Sequence, residues 1–201
     1  MILNIVVILG TLGIAFAWSS KARGYGFFSA LVALACVISA GAIAFGLWET
    51  TVHAGLFPLA DGDGFIANLA RDNAWGIGLL APFVIALLVL RLIADRFVRA
   101  NLEMSNTANL VGGGLVGLAI GGLTMGVVVI GLGHMRLGAS LFGHKPIAVE
   151  RGNMVYESPL WVPVDAAAAN LYETMSVGSF STGTPMARYR PDPHVSAGLM
   201  R

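Results

Sequence analysis

The chain reads as an all-α membrane protein: four transmembrane helices, with short amphipathic helices in the second loop and the C-terminal tail. Three observations predict this. Apolar residues fill 56% of the 201 positions. Charged residues fill 11%, against about 25% in an ordinary soluble domain. Four stretches, 1–20, 24–48, 73–90 and 104–135, contain no Asp, Glu, Lys or Arg. A charge at the centre of a bilayer costs about 2.5–3.5 kcal/mol on insertion scales, so such runs mark membrane segments. Each run is close to the roughly 20 residues needed to cross a hydrocarbon core of about 30 Å.

The mean hydropathy of +0.77 excludes a water-soluble domain of ordinary design, which needs charge to cover its surface. The formal charge of +1 provides no basic excess for nucleic acid. The single cysteine, Cys36, lies inside an apolar run and reads as a small packing residue. It builds neither an intramolecular disulfide nor a cysteine zinc site.

The transmembrane domain is expected over 1–135. The first helix is expected over 2–18. Lys21 and Arg23 follow its apolar core instead of preceding it, which is the order of an uncleaved span, not of a signal peptide. The second is expected over 25–48, with Trp48 at the interface. The third is expected over 75–97, anchored by Trp75, with Pro82 kinking or breaking it. The fourth is expected over 109–133 and is rich in glycine.

Lys and Arg in short loops set the orientation. Lys21 and Arg23 in the first loop, and Arg91, Arg96 and Arg99 around the third, place both loops in the cytoplasm. The second loop carries Arg71 against Glu49, Asp61, Asp63 and Asp72, so it faces outward together with both termini. Arg136, Lys145 and Arg151 follow the fourth helix closely and point the other way.

In the second loop, Phe65, Ile66 and Leu69 recur at helical spacing behind Asp63, a candidate N-cap. In the tail, 136–201, the residues Trp161, Val164, Ala168, Leu171 and Met175 step by three and four. They predict an amphipathic helix over 164–177 that docks on the membrane surface or on the outward end of the bundle. Pro163 and Asp165 suit its first turn.

Gly113, Gly117 and Gly121 recur every fourth residue on the fourth helix. Glycine lets a neighbouring backbone come close, so these are expected to be helix-packing positions. Asp61-Gly62-Asp63-Gly64 opens like a calcium loop, but Phe65 and Ile66 stand where an oxygen ligand and a glycine are required. His53, His134, His144 and His194 form no metal-binding pair at helical spacing. No serine lies in a nucleophile elbow. The helix centres hold Asn4, Thr11, Ser29, Ser39 and Thr124 but no ionisable group, which argues against transport by a monomer.

Two short segments carry a family resemblance. The first is Arg23-Gly24-Tyr25 followed by Phe27-Phe28 after the first helix. The second is Ser105-Asn106-Thr107-Ala108-Asn109-Leu110-Val111-Gly112, running into the glycines of the fourth helix. With four helices and an outward second loop, 1–135 resembles the CvpA (colicin V production) family of small inner-membrane proteins. The fourth helix lacks the basic residue often found among the glycines of that family. The resemblance implies motif positions at Arg23, Gly24, Asn109 and Gly112, a multi-pass location in the bacterial inner membrane, and a role in envelope maintenance or toxin export.

The expected function is therefore non-enzymatic. The protein would act in the lipid bilayer by assembly with itself or with another membrane protein, without a cofactor, nucleic acid or small-molecule substrate. The alternative is a pore or exporter subunit that conducts only as an oligomer.

Overall fold

The computed structural model describes residues 2–19, 27–56, 58, 64–97, 105–135, 148–150, 153–155 and 164–177. These form five α-helices: α1 (Ile2–Ser19), α2 (Phe27–Thr50), α3 (Phe65–Phe97), α4 (Asn106–Gly133) and α5 (Val164–Val177). A single π-helical stretch, Thr51–Leu56, prolongs α2. Two strands, β1 (Ala148–Glu150) and β2 (Asn153–Val155), pair antiparallel with Ala148 opposite Val155.

Three stretches are long and apolar enough to cross a membrane: Phe27–Leu56, Asn73–Phe97 and Asn109–Gly133. The side chains described for α1 give a shorter apolar stretch, Ile5–Ala17. Large apolar residues point outward along the second half of α3, where Ile85, Leu88 and Leu92 are 61, 59 and 70% exposed. A soluble monomer does not leave so continuous an apolar face uncovered.

The chain runs back and forth along a common axis. Val7 of α1 clusters with Val129 of α4, and Thr11 lies against Gly121, so α1 and α4 are antiparallel. Phe27 lies against Gly112 and Trp48 against His134, so α2 runs parallel to α4. Trp75 meets Trp48 and Leu80 meets Gly131, which sends α3 back. The start of α1 and the end of α4 therefore share one end of the bundle.

The core is built from small residues. The buried face of α2 includes Ala30, Ala33, Val37, Ala40, Ala44 and Trp48, a ladder at spacings of three and four, with Cys36, Gly41 and Phe45 beside it. With short side chains the axes come close and gain dispersion contacts that bulky side chains would hold apart. The largest fully buried side chains, among them Trp48, Tyr172, Phe83 and Leu79, fill what the ladder leaves open.

Two expectations change. The second-loop segment 65–69 is not a separate helix. It is the first part of α3, which continues without interruption for 33 residues, about 50 Å at 1.5 Å per residue. No Gly or Pro separates Leu69 from Trp75. The polar residues at 71–73 occupy less than one helical turn, and Asn73 is buried. Of the two outcomes expected at Pro82, a kink or a break, the break does not occur. A proline inside a helix removes one N–H and leaves the carbonyl four residues back, that of Gly78, without its helical donor. The candidate N-cap Asp63 lies outside the described residues. Gly64 precedes the helix at φ +126°, a conformation that glycine adopts without strain. Its carbonyl accepts the Asn68 N–H at 3.0 Å.

A paired substitution tests the close approach of α1 to α4. A Cβ on Gly121 would lie 2.7 Å from the Thr11 carbonyl oxygen and 2.9 Å from its Cα. Backbone cannot swing aside as a side chain does, so Gly121→Ala should destabilise the bundle by about 1–3 kcal/mol. Nothing lies within 4 Å of the corresponding point on Gly122, so Gly122→Ala should be neutral or slightly stabilising. Denaturant midpoints of the two variants in one detergent measure the difference.

Candidate functional site

Helix α5 meets the bundle along its flank, through two positions that lack a side chain. At Gly126 of α4, an added Cβ would overlap the Val164 carbonyl and come 2.7 Å from the Ala168 Cβ. At Gly41 of α2 it would overlap the Tyr172 phenol. The Tyr172 hydroxyl donates to the Val37 carbonyl at 3.3 Å, and its ring packs against Phe45 with centroids 4.9 Å apart. Val164, Asp165, Ala168 and Tyr172 are all buried. Leu171 is half-buried, Met175 packs against the edge of the core, and Trp161 lies outside the described residues.

The level of this contact follows from helical rise. Trp48 and His134 touch edge to face, with ring centroids 5.0 Å apart, and so mark one level of the bundle. Gly126 is eight residues before His134, about 12 Å along the axis. Val37 is eleven before Trp48, about 16 Å. The helix thus docks neither on the end of the bundle nor beyond it. It lies alongside α2 and α4, because the notches that fit its small and aromatic residues are there. Asp165, fully buried in the first turn of α5, comes with it. A carboxylate is favoured there by the helix dipole.

At the level of Trp48 the rings form a chain. The Trp48 indole N–H donates to the Trp75 carbonyl at 2.7 Å. The two indoles meet at 6.1 Å and 77°, and His53 stands perpendicular to Trp75 at 5.8 Å. His134 Nδ1 is 2.7 Å from the Ile130 carbonyl, which assigns it the donor role and the neutral ring the matching tautomer. Burial pushes the His134 pKa down, and its bond to Ile130 offsets part of that shift.

At the opposite end, the Phe27 N–H, one of the orphan donors that open α2, donates to Asn109 Oδ1 at 3.2 Å. A Cβ on Gly112 would lie 2.6 Å from the Phe27 ring. Two of the motif positions therefore meet the same residue and join the start of α2 to the start of α4. Arg23 and Gly24 lie outside the described residues, as do Asp61, His144 and His194. Arg91 and Asp95 pair at 3.0 Å across one turn of α3. With Asp95 more than half exposed, the pair contributes little to stability.

Gly113, Gly117 and Gly121 are all buried, and Gly121 faces α1. Among the described residues, no three His, Cys, Asp or Glu come together as a metal site. The sequence reading missed Asp165 as a core residue, and it missed Gly41 and Tyr172. The alanine ladder of α2 and the helical spacing of 165, 168 and 172 were the available signals.

Three outcomes are expected. Gly41→Val should displace Tyr172 and release α5, opening 164–177 to protease, whereas Gly46→Val should not, since nothing lies within 4 Å of that position. Tyr172→Phe should cost only about 0.5–1.5 kcal/mol, the net worth of one hydrogen bond. For His134, the folded-state pKa lies below the ordinary 6.5. Its contribution to stability is complete above pH 6.5 and is lost as pH falls through the lowered value. Tryptophan emission should report loosening around Trp48 on acidification, and His134→Gln should abolish that component.

No family model, no curated protein and no solved structure matches this chain.

Proposed function

We propose that the chain is a multi-pass protein of the bacterial inner membrane, of CvpA type, that acts without catalysis by assembling in the membrane. In this reading α1, α2, α3 and α4 all cross the bilayer. Three of them carry spans long enough by composition. The 18 residues of α1 reach about 27 Å and pack antiparallel to α4. Lys21 and Arg23 hold the first loop inside, and both termini face outward. The family resemblance rests on architecture and on the short motifs, of which Asn109 and Gly112 converge on Phe27.

The observation that carries assembly is a set of glycines facing away from the bundle. Gly13 of α1 and Gly46 of α2 are exposed, with nothing within 4 Å of an added Cβ. Open notches on membrane helices admit the backbone of another helix. Size-exclusion with mass measurement in mild detergent should show an oligomer. Gly13→Leu and Gly46→Leu should lower its mass without shifting the unfolding midpoint of the bundle. A monomeric wild-type particle would defeat the assembly reading. Orientation is tested by single cysteines on a Cys36→Ser background: those in the second loop should label from outside and those in the first loop should not.

One observation favours the second reading, a pore or exporter subunit that conducts as an oligomer. Although the spans lack ionisable centres, α5 adds a fully buried carboxyl group, that of Asp165. Ionisable groups among membrane helices face the bundle interior or a water-filled path and mark routes for ions or substrates. Ion or solute flux through reconstituted oligomer, reduced in Asp165→Asn, would favour this reading over a purely structural role.

A further inference from the structure

His134 sits where three helices meet. Its ring follows the last turn of α4 and packs edge to face on Trp48 of α2. Trp48 in turn donates its indole N–H to the Trp75 carbonyl of α3. Two close approaches of α3 to α4 lie within one turn of His134. A Cβ on Gly76 would overlap the Met135 side chain and meet the Gly131 carbonyl, and one on Gly131 would meet Leu80. Short backbone bonds close that turn, from the His134 N–H to Gly131 and from the Met135 N–H to Leu132, both at 3.1 Å. Helices α2 and α3 are joined to each other separately, through Trp75 on Trp48 and Val52 on Gly78. Lower down, α5 bridges α4 at Gly126 and α2 at Gly41. From that bridge to the end of the bundle is about 12 Å. Over this stretch Gly131, His134 and Met135 tie α4 to the α2–α3 pair.

The ring makes one hydrogen bond, between Nδ1 and the Ile130 carbonyl. Among the described residues nothing accepts from Nε2. The neutral ring needs no acceptor there, but the protonated ring carries a second N–H. A cation lodged among side chains without a partner is costly. The negative end of the α4 dipole favours the cation, yet burial prevails and lowers the pKa. The nearby charges lie to the side. Glu49 of α2 is exposed and about 100° further round the helix than Trp48. His53 stands beyond Trp48, against Trp75. Asp165 of α5 follows Val164, which meets Gly126 about 12 Å down the axis. On α3, Arg71 and Asp72 stand one turn before Trp75, with side chains outside the described set.

We propose that His134 is an acid-released clasp: when its ring is protonated, the end of α4 parts from Trp48 and from α3, and the bundle opens at that end down to the level where α5 bridges α4 and α2. The released ring enters water and titrates near the ordinary 6.5. Acid therefore favours the open form, by at most about tenfold for each pH unit between the clasped and released pKa values. Neutral pH restores the closed form. The α2–α3 pair moves as one piece, and α1 stays on α4 through Thr11 and Gly121. The clasp goes beyond the assembly reading and does not depend on it.

The test is the distance between paired spin labels in the full chain, Cys36→Ser, in phosphatidylcholine nanodiscs. Labelled chain is diluted with unlabelled chain, so that only distances within one molecule are read. Phe65→Cys and Ile5→Cys, both exposed, report α3 against α1 at the His134 end. Between about pH 8 and about pH 4.5 their distance should lengthen reversibly, by more than the roughly 1–2 Å of an ordinary helix shift. Ile5→Cys with Leu118→Cys, also exposed, reports α1 against α4 and should not change. His134→Phe keeps a ring against Trp48 without a titrating nitrogen, so it should hold the short distance at both pH values. A wild-type distance that ignores pH would overturn the clasp. So would a shift that persists in His134→Phe, which assigns the titration to another group, and so would a long distance in that variant at about pH 8. A change shared by the Ile5–Leu118 pair would overturn it by showing general unfolding.

Discussion

Between helices that sit in hydrocarbon, burying an apolar side chain gains almost nothing, because lipid tails are as apolar as leucine. What holds such helices together is close contact and the few hydrogen bonds formed between them. Much of the packing here obeys that constraint at positions without a side chain. Gly121 admits the backbone of α1, Gly126 admits that of α5, Gly41 admits a phenol, and Gly131 admits Leu80. The smooth faces of α2 and α4 let the other elements settle around them. The hydrogen bonds that cross between helices are placed where they fix level: Phe27 on Asn109, Trp48 on Trp75, and Tyr172 on Val37.

Most of the helical architecture was legible because it depends on local signals. Runs free of charge marked out α2, the membrane part of α3 and α4, and a tryptophan stands at one edge of the first two. The stripe of 164, 168, 171 and 175 gave the limits of α5. Depth and partnership were harder to read. A reader of the sequence sees Asp72 and Asn73 and infers a loop. Less than one turn of polar residues is tolerated inside a helix whose next turn is apolar, so α3 ran on. Likewise, nothing local to 164–177 says that two notches more than eighty residues apart in sequence, Gly41 and Gly126, lie side by side and fit it.

That gap bears on chemistry. Scanning the helix centres for ionisable residues finds none, and transport by a monomer then looks excluded. The scan assumes that the core of a membrane bundle is made only of its spans. A short helix carried into the bundle from the tail escapes it and brings Asp165 into a fully buried position. The pair Asn109 and Gly112 shows the converse. They drew notice through a family resemblance, but the contact they make depends on Phe27, a residue from another helix and another part of the chain.

The length of α3 has a mechanical consequence. A rod of 33 residues exceeds the thickness of a hydrocarbon core by about 20 Å. Its first turns, with Ala67, Ala70 and Ala74 buried, therefore stand beyond the level of Trp48 as a post. A force applied to the segment before Phe65 enters the bundle along a continuous helix with one weakened point, the turn from Gly78 to Pro82, where a rung of the hydrogen-bond ladder is missing. The turn above that point is held by Trp75 against Trp48, and Gly78 itself by Val52. The half below, up to Phe97, is bordered by exposed leucines and isoleucines. Flexure at that joint would swing the lower half while leaving the Trp48–Trp75 pair in place, so the helix is stiff where it meets its neighbours and compliant where it meets its solvent.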